Sequence, residues 1–207
     1  EDVRHRGTHD GAGDMKHEPW LKQWLPLIEA CPRHMAWDIG ANDGTWTELL
    51  SGLFVKVVAL EPDERCQAPA GVEYDRRAVW SETGEETLYR RTSALQTSLL
   101  PEHGIGNGKA KVEVVEKATV QTVTLDDLAS EHGPPDFIKL DIEGAEVEAM
   151  AGATLPCFSR CRWLIESHGM SSGVGEQLQR LGYVTCHLVK HPHPDAAEGH
   201  EWIFVEP

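Results

Sequence analysis

The sequence predicts an α/β protein built on a doubly wound, mostly parallel sheet, and three stretches carry that prediction. Met35–Ile39 is an apolar run that contains Asp38 and passes through Gly40 and Gly44 into a helical pattern. Val57–Leu60 repeats the form and ends in Glu61. Asp136–Gly152 repeats it again, closing on Asp141 before helical spacing begins at Gly144. Strand patterns that alternate with helical ones make βαβ units, and such units stack into parallel sheets.

A length of 207 residues suggests one domain with a substantial core. The 34 acidic and 19 basic side chains give a formal charge of -15. Such a surface repels nucleic-acid backbones and anionic lipid, so neither is expected as a partner and a small or neutral molecule is. The 5 cysteines lack the paired spacing of a zinc site, which suits reduced thiols in a cytoplasmic protein. No apolar run reaches membrane-spanning length and no signal-like segment opens the chain.

Residues 1–16 are polar, glycine-containing and without hydrophobic period, so they read as a loosely held segment ahead of a domain spanning 17–207. Between His17 and Cys31, Trp20, Leu21, Trp24, Leu25, Leu27 and Ile28 fall near helical spacing. Pro19 suits a first turn and Pro26 interrupts the run, which predicts two short helical pieces capping the sheet. The tryptophans read as core rather than as substrate platforms.

In the stretch Asp38-Ile-Gly-Ala-Asn-Asp-Gly44, glycines let the backbone bend sharply and approach a ligand. A dinucleotide fingerprint starting at Gly40 needs glycines at positions 42 and 45, where Asn42 and Thr45 stand, so a diphosphate is disfavoured. Asp38 would repel phosphate but suits an ammonium or sulfonium. Glu61, followed by Pro62, sits where a second-strand acid accepts hydrogen bonds from ribose hydroxyls. An amino-acid-bearing nucleoside without phosphates fits these features, and S-adenosylmethionine is the common one. Its expected contacts are Asp38, Gly40, Ala41, Asn42, Gly44, Glu61 and Pro62.

Further along, Gly71–Tyr74 and Ala78–Trp80 read as a third strand and its exit, with Ala78 and Val79 flanking an adenine ring, and Gly84–Tyr89 as an edge strand. Ser93–Gly108 is loop-like and a candidate substrate-facing segment. Val112–Val115 and Thr119–Val123 read as short strands, and Thr124 as the N-cap of a helix opening with Leu-Asp-Asp-Leu. In Asp136–Gly152, Lys139 is a cation inside an apolar strand and requires an acid, Asp141 or Asp38. Glu143 and Glu146 fall in a first helical turn, where negative charge is favourable. Arg162–His168 is a fifth strand on which Glu166 and His168 share a face. A right-handed, doubly wound sheet sets the first, fourth and fifth strands side by side and brings Asp38, Asp141, Glu166 and His168 to one rim.

The Asp38–Gly44 loop, the Glu61-Pro62 step, Thr124–Leu128, and above all Ile138-Lys-Leu-Asp-Ile-Glu-Gly-Ala-Glu146 with Gly152-Ala153, resemble the FkbM family of S-adenosylmethionine-dependent methyltransferases. The similarity runs over roughly residues 35–185. It implies a Rossmann-like class I methyltransferase fold, a seven-stranded, mostly parallel sheet whose last hairpin, here Leu181–Val189 with Trp202–Val205, is reversed. It also implies methyl transfer to a hydroxyl of a sugar, glycan, natural-product intermediate or similar small molecule. Between the hairpin strands, His187, His191, His193 and His200 lie in a polar loop without repeating ligand spacing.

Methyl transfer from a sulfonium is an in-line displacement, so positioning is its largest demand. Deprotonating the acceptor hydroxyl calls for a base of near-neutral pKa, and His168 is the expected one, oriented by Asp141 or Glu166 with Lys139 nearby. The alternative is a divalent cation such as Mg²⁺ held by Asp141, Glu166 and His168. Two other function classes compete: a nicotinamide-dependent oxidoreductase, against which the glycine spacing argues, and a non-catalytic cofactor-binding protein, against which the acidic rim argues. The sequence leaves oligomeric state open between monomer and homodimer.

Overall fold

The structure, a computed structural model, describes residues 23–92, 96–101, 113–190 and 201–207. Among the described residues its main sheet has six strands, in the spatial order Lys56–Leu60, Met35–Ile39, Phe137–Leu140, Arg162–Glu166, Glu201–Val205 and His187–Lys190. The central parallel block is β1 (Met35–Ile39), β2 (Lys56–Leu60), β6 (Phe137–Leu140) and β7 (Arg162–Glu166). β9 (Glu201–Val205) runs antiparallel to β7, and β8 (His187–Lys190) antiparallel to β9, which makes the sheet mixed and reverses its last hairpin as expected.

Period-two alternation divides the core. Trp37, Ile39, Leu60, Ile138, Leu140, Trp163 and Ile165 point to one face, against Leu125 and Leu128 of α3 (Leu125–His132), Met150 of α4 (Glu146–Ala151) and Val174 and Leu178 of α5 (Ser171–Arg180). Ala36, Phe137, Leu164, Trp202 and Phe204 point to the other, against α1 (Leu25–Glu29) and α2 (Thr45–Leu53). There Trp202 lies 6.1 Å from Trp24 and 5.9 Å from Trp46, ring centre to ring centre. Trp24 is therefore core, as read. Pro26 stands in the first turn of α1 and starts that helix, correcting the expectation that it breaks one, because a first-turn residue has no intrahelical N–H bond to lose. The rest of the proposed cap, and all of 1–16, lie outside the described residues.

The third strand needs correction, and among the described residues the main sheet holds six strands where seven are expected. Asp75 makes a single parallel bridge to Leu60, Gly71–Tyr74 is not strand, and Ala78–Val79 (β3) instead pairs in parallel with Thr122–Val123. The Asp75 carboxylate explains the break, since it accepts from the backbone N–H of Arg77 at 2.9 Å and from the Arg77 guanidinium at 2.6 Å. That local turn competes with the strand ladder and leads the chain away. A second sheet results, β3-β5-β4, in which β4 (Gly84–Arg91) pairs antiparallel with β5 (Val114–Val123). β5 is continuous, so the two short strands expected there are one. Thr124 caps α3 as predicted, its hydroxyl accepting from Asp127 N–H at 3.0 Å.

All five cysteines, Cys31, Cys66, Cys157, Cys161 and Cys186, are free thiols. Among the described residues no helix is long and apolar enough to cross a membrane.

Candidate active site

The carboxyl ends of β1, β2 and β6 open on a cleft bounded on the far side by β3 and by residues 97–99. The chain leaves β1 at Gly40, whose φ of +78° is left-handed. A Cβ built there would stand 1.8 Å from the carbonyl oxygen of Asp141, so glycine is required by the neighbouring loop rather than by a ligand. Gly44, φ +87°, starts α2, and a Cβ on it would meet Pro69 at 2.3 Å. Ala41 is buried with Ala59 and Tyr74. Gly44 and Ala41 thus shape the loop, while Gly40 and Asn42 line the cleft.

Glu61 locks the loop to the end of β2. One of its oxygens accepts from Asn42 N–H at 3.0 Å and the other from Asp63 N–H at 2.8 Å. Burial raises its pKa, and those two backbone bonds offset the rise only in part. Glu61, Pro62, Ala78 and Val79 all line the cleft. Asp38 does not. It is fully buried, accepts from the Thr47 hydroxyl at 2.5 Å and lies 3.4 Å from Lys139 Nζ. The Asp38 carboxylate thus faces an internal ammonium, and its Oδ1 is buried without a hydrogen bond among the described residues.

Lys139 has the acids its burial demands. Its Nζ lies 3.4 Å from both Asp38 and Asp141 and donates to the Gly40 carbonyl at 2.7 Å. Burial works against the ammonium, but the charges of Asp141 and Asp38 outweigh it and hold the Lys139 pKa above the ordinary lysine value. Register puts Lys139 beside Asp38 on the adjacent strand, so the ion pair ties β1 to β6 directly beneath the loop. Lys139 is buried and is not among the residues that line the cleft; its contacts hold the Gly40 loop, Asp38 and Asp141 together.

The predicted convergence of strand ends is present. His168 Nε2 lies 3.6 Å from Asp141, 3.5 Å from Glu143 and 3.7 Å from Glu166, and its Nδ1 lies 3.0 Å from Glu146. Glu146 is therefore the residue that orients the ring, correcting the assignment to Asp141 or Glu166. It is fully buried, and the oxygen facing His168 also accepts from Ile142 N–H and Gly144 N–H, each at 3.1 Å. Burial alone would disfavour the imidazolium, but the charges of Glu146 and Glu143 outweigh it and raise the His168 pKa well above the ordinary value. Asp141 and Glu143 line the cleft, while His168 and Glu166 are not among its lining residues.

Glu143 and Glu146 were legible only as helix-start acids. Their signal was the Glu-Gly-Ala-Glu spacing, in which Glu143 takes φ +56° and turns back over its own loop. Ser98, on the segment read as substrate-facing, donates from its hydroxyl to the Glu143 carbonyl at 2.7 Å, and Thr97, Ser98 and Leu99 close the cleft. The other loop expectations, on 102–108 and on His191, His193 and His200, fall outside the described residues, while His187 begins β8.

A family model described as a methyltransferase FkbM domain matches residues 38–185. Among curated proteins, hexuronic acid methyltransferase AglP of Haloferax volcanii is 29% identical over 137 residues, covering 63% of this chain and 54% of AglP. The chain thus spans about half the length of that relative. Among solved structures, precorrin-6y C5,15-methyltransferase of Geobacter metallireducens aligns with a TM-score of 0.42 at 14% identity, over 88% of this chain and 84% of that one.

Proposed function

The chain belongs to the FkbM methyltransferase family, and on that premise we propose that it transfers the methyl group of S-adenosylmethionine to a hydroxyl of a small molecule of the sugar or glycan class. The observation that carries this reading is the cleft itself. One continuous wall runs from Glu61, Pro62, Ala78 and Val79 to Asp141 and Glu143. Ala78 and Val79 offer the adenine an apolar wall, and the Glu61 carboxylate accepts from the ribose hydroxyls. Gly40 and Asn42 pass beneath the amino-acid part. The cofactor's sulfonium then faces the acids beyond, an environment that favours a cation and disfavours the diphosphate of a nicotinamide dinucleotide.

The acceptor approaches over Asp141 and Glu143, which reach the cleft and are positioned to take its proton. Fixing acceptor oxygen, methyl carbon and sulfur in line supplies the largest share of the rate, on the order of 7 kcal/mol or more in favourable cases. His168 and Lys139 act from behind, holding the two carboxylates in place. AglP is named for a hexuronic acid, which supports a sugar-class acceptor.

The test is transfer of label from methyl-labelled S-adenosylmethionine to a panel of sugars, sugar acids and polyhydroxylated metabolites. Label is expected on an oxygen of a sugar-class compound. Failure across the panel, or label on nitrogen or carbon, would contradict the reading.

A further inference from the structure

We infer that Asp141, Glu143 and His168 form the binding site for one divalent first-row transition-metal ion, with Glu146 holding the imidazole from behind. Each of the three residues offers one donor atom, and these atoms all lie within 4.8 Å of one another. Here Nε2 stands 3.5 Å from Glu143 and 3.6 Å from Asp141. Two donors each about 2.1 Å from a common ion and roughly 110° apart are separated by about 3.4 Å, so these two gaps leave room for an ion between Nε2 and either carboxylate.

The surroundings point the same way. Glu146 engages Nδ1 at 3.0 Å, which leaves Nε2 directed at the two carboxylates. A carboxylate on the far nitrogen is the usual support of a metal-bound histidine. The second oxygen of Glu146, Oε2, is buried without a hydrogen-bond partner among the described residues. Four carboxylates, of Asp141, Glu143, Glu146 and Glu166, lie within 3.7 Å of the ring nitrogens, and the Lys139 ammonium stands 3.4 Å from Asp141. That concentration of negative charge in a largely buried place calls for a cation of higher charge than one proton.

The donor set selects the kind of ion. An imidazole with two carboxylates suits Mn²⁺, Co²⁺ or Zn²⁺, whereas Mg²⁺ prefers oxygen ligands and retains its waters. The Mg²⁺ anticipated from the sequence is thus replaced by a borderline ion, and Glu143 takes the ligand place given to Glu166. Asp141 and Glu143 line the cleft, so the ion's open side faces it. An acceptor oxygen on that side would be acidified, the task given above to the bare carboxylates. That last placement rests on the methyl-transfer reading, whereas the ion site stands without it.

The experiment titrates protein stripped with EDTA and exchanged into chelator-free buffer with Co²⁺, followed by visible absorption, and with Mn²⁺, followed by electron paramagnetic resonance. One equivalent should bind, an equal concentration of Mg²⁺ should not displace it, and Glu143→Gln and His168→Ala should each weaken binding at least tenfold. Glu143 lies at the cleft surface, so its variant reports even where His168→Ala fails to fold. Substoichiometric Co²⁺ binding, full competition by Mg²⁺, or unchanged affinity in Glu143→Gln would each overturn the proposal. S-adenosylhomocysteine is titrated into the same samples: Co²⁺ binding without nucleoside binding leaves the ion site standing and removes the methyl-transfer reading, while the reverse removes only the ion.

Discussion

At Gly40 a single hydrogen atom in place of a side chain decides whether β1 and β6 can end side by side. The residue combines φ +78° with a missing Cβ whose position would lie 1.8 Å from the Asp141 carbonyl oxygen. Gly71 has a similar φ of +83° but open space around it. Alanine at Gly71 should therefore cost only the backbone term, about 1 kcal/mol, and alanine at Gly40 about 3 kcal/mol or more, since the clash with fixed backbone adds to it. Urea unfolding of the two variants measures the difference, and equal losses would mean that the Asp141 loop yields freely. The sequence displayed both glycines of the Asp38–Gly44 loop but not what they make room for. Contacts across a hundred positions of chain leave no local trace.

Among the elements, the turn after β2 does more than present Glu61. Asp63, fully buried, pairs with Arg65 at 2.6 Å and accepts from the Thr97 hydroxyl at 3.0 Å, while Arg65 donates to the Arg91 carbonyl at 2.9 Å. One carboxylate thereby anchors the 96–101 segment that closes the cleft. Burial alone would raise the Asp63 pKa, but the hydrogen bonds and charge of Arg65 hold the carboxyl below its usual range. A folded-state pKa below the unfolded value, about 3.9, means a contribution complete above that value and lost as pH falls through the folded one. Asp63→Asn should cost about 3 kcal/mol at neutral pH, the low end for a broken buried pair because Arg65 is 36% exposed and screened by water. Its stability should also fall less steeply below about pH 4 than that of the native chain. Chemical unfolding across pH 3–7 gives both numbers, and parallel acid limbs would show that Asp63 is not the group responsible.

For the molecule as a whole, what could be read from sequence was what repeats locally. The alternation at Met35–Ile39, Phe137–Leu140 and Arg162–Glu166 gave adjacent strands, and their polar ends gave a common rim. Lys139 announced its partners because an ammonium in an apolar strand has few ways to be satisfied. Gly71–Tyr74 and Ala78–Trp80 read locally as a third strand and its exit, while the deciding event is a side-chain turn of Asp75 on Arg77. At the rim, local sequence shows Glu143 and Glu146 as first-turn acids. Their meeting with His168, more than twenty residues away, and the left-handed backbone at Glu143 are what composition does not forecast.

The central claim is that the cleft over Glu61 and Asp141 holds the nucleoside of S-adenosylmethionine. Calorimetric titration with S-adenosylhomocysteine, run beside NAD and repeated on Glu61→Gln, addresses it most directly. A saturable one-to-one isotherm for S-adenosylhomocysteine, no heat from NAD, and an affinity reduced about tenfold or more in the variant are expected, since a hydrogen bond to a charged partner contributes about 1.5–3 kcal/mol. No binding at millimolar S-adenosylhomocysteine, or equal affinity in Glu61→Gln, would contradict the account.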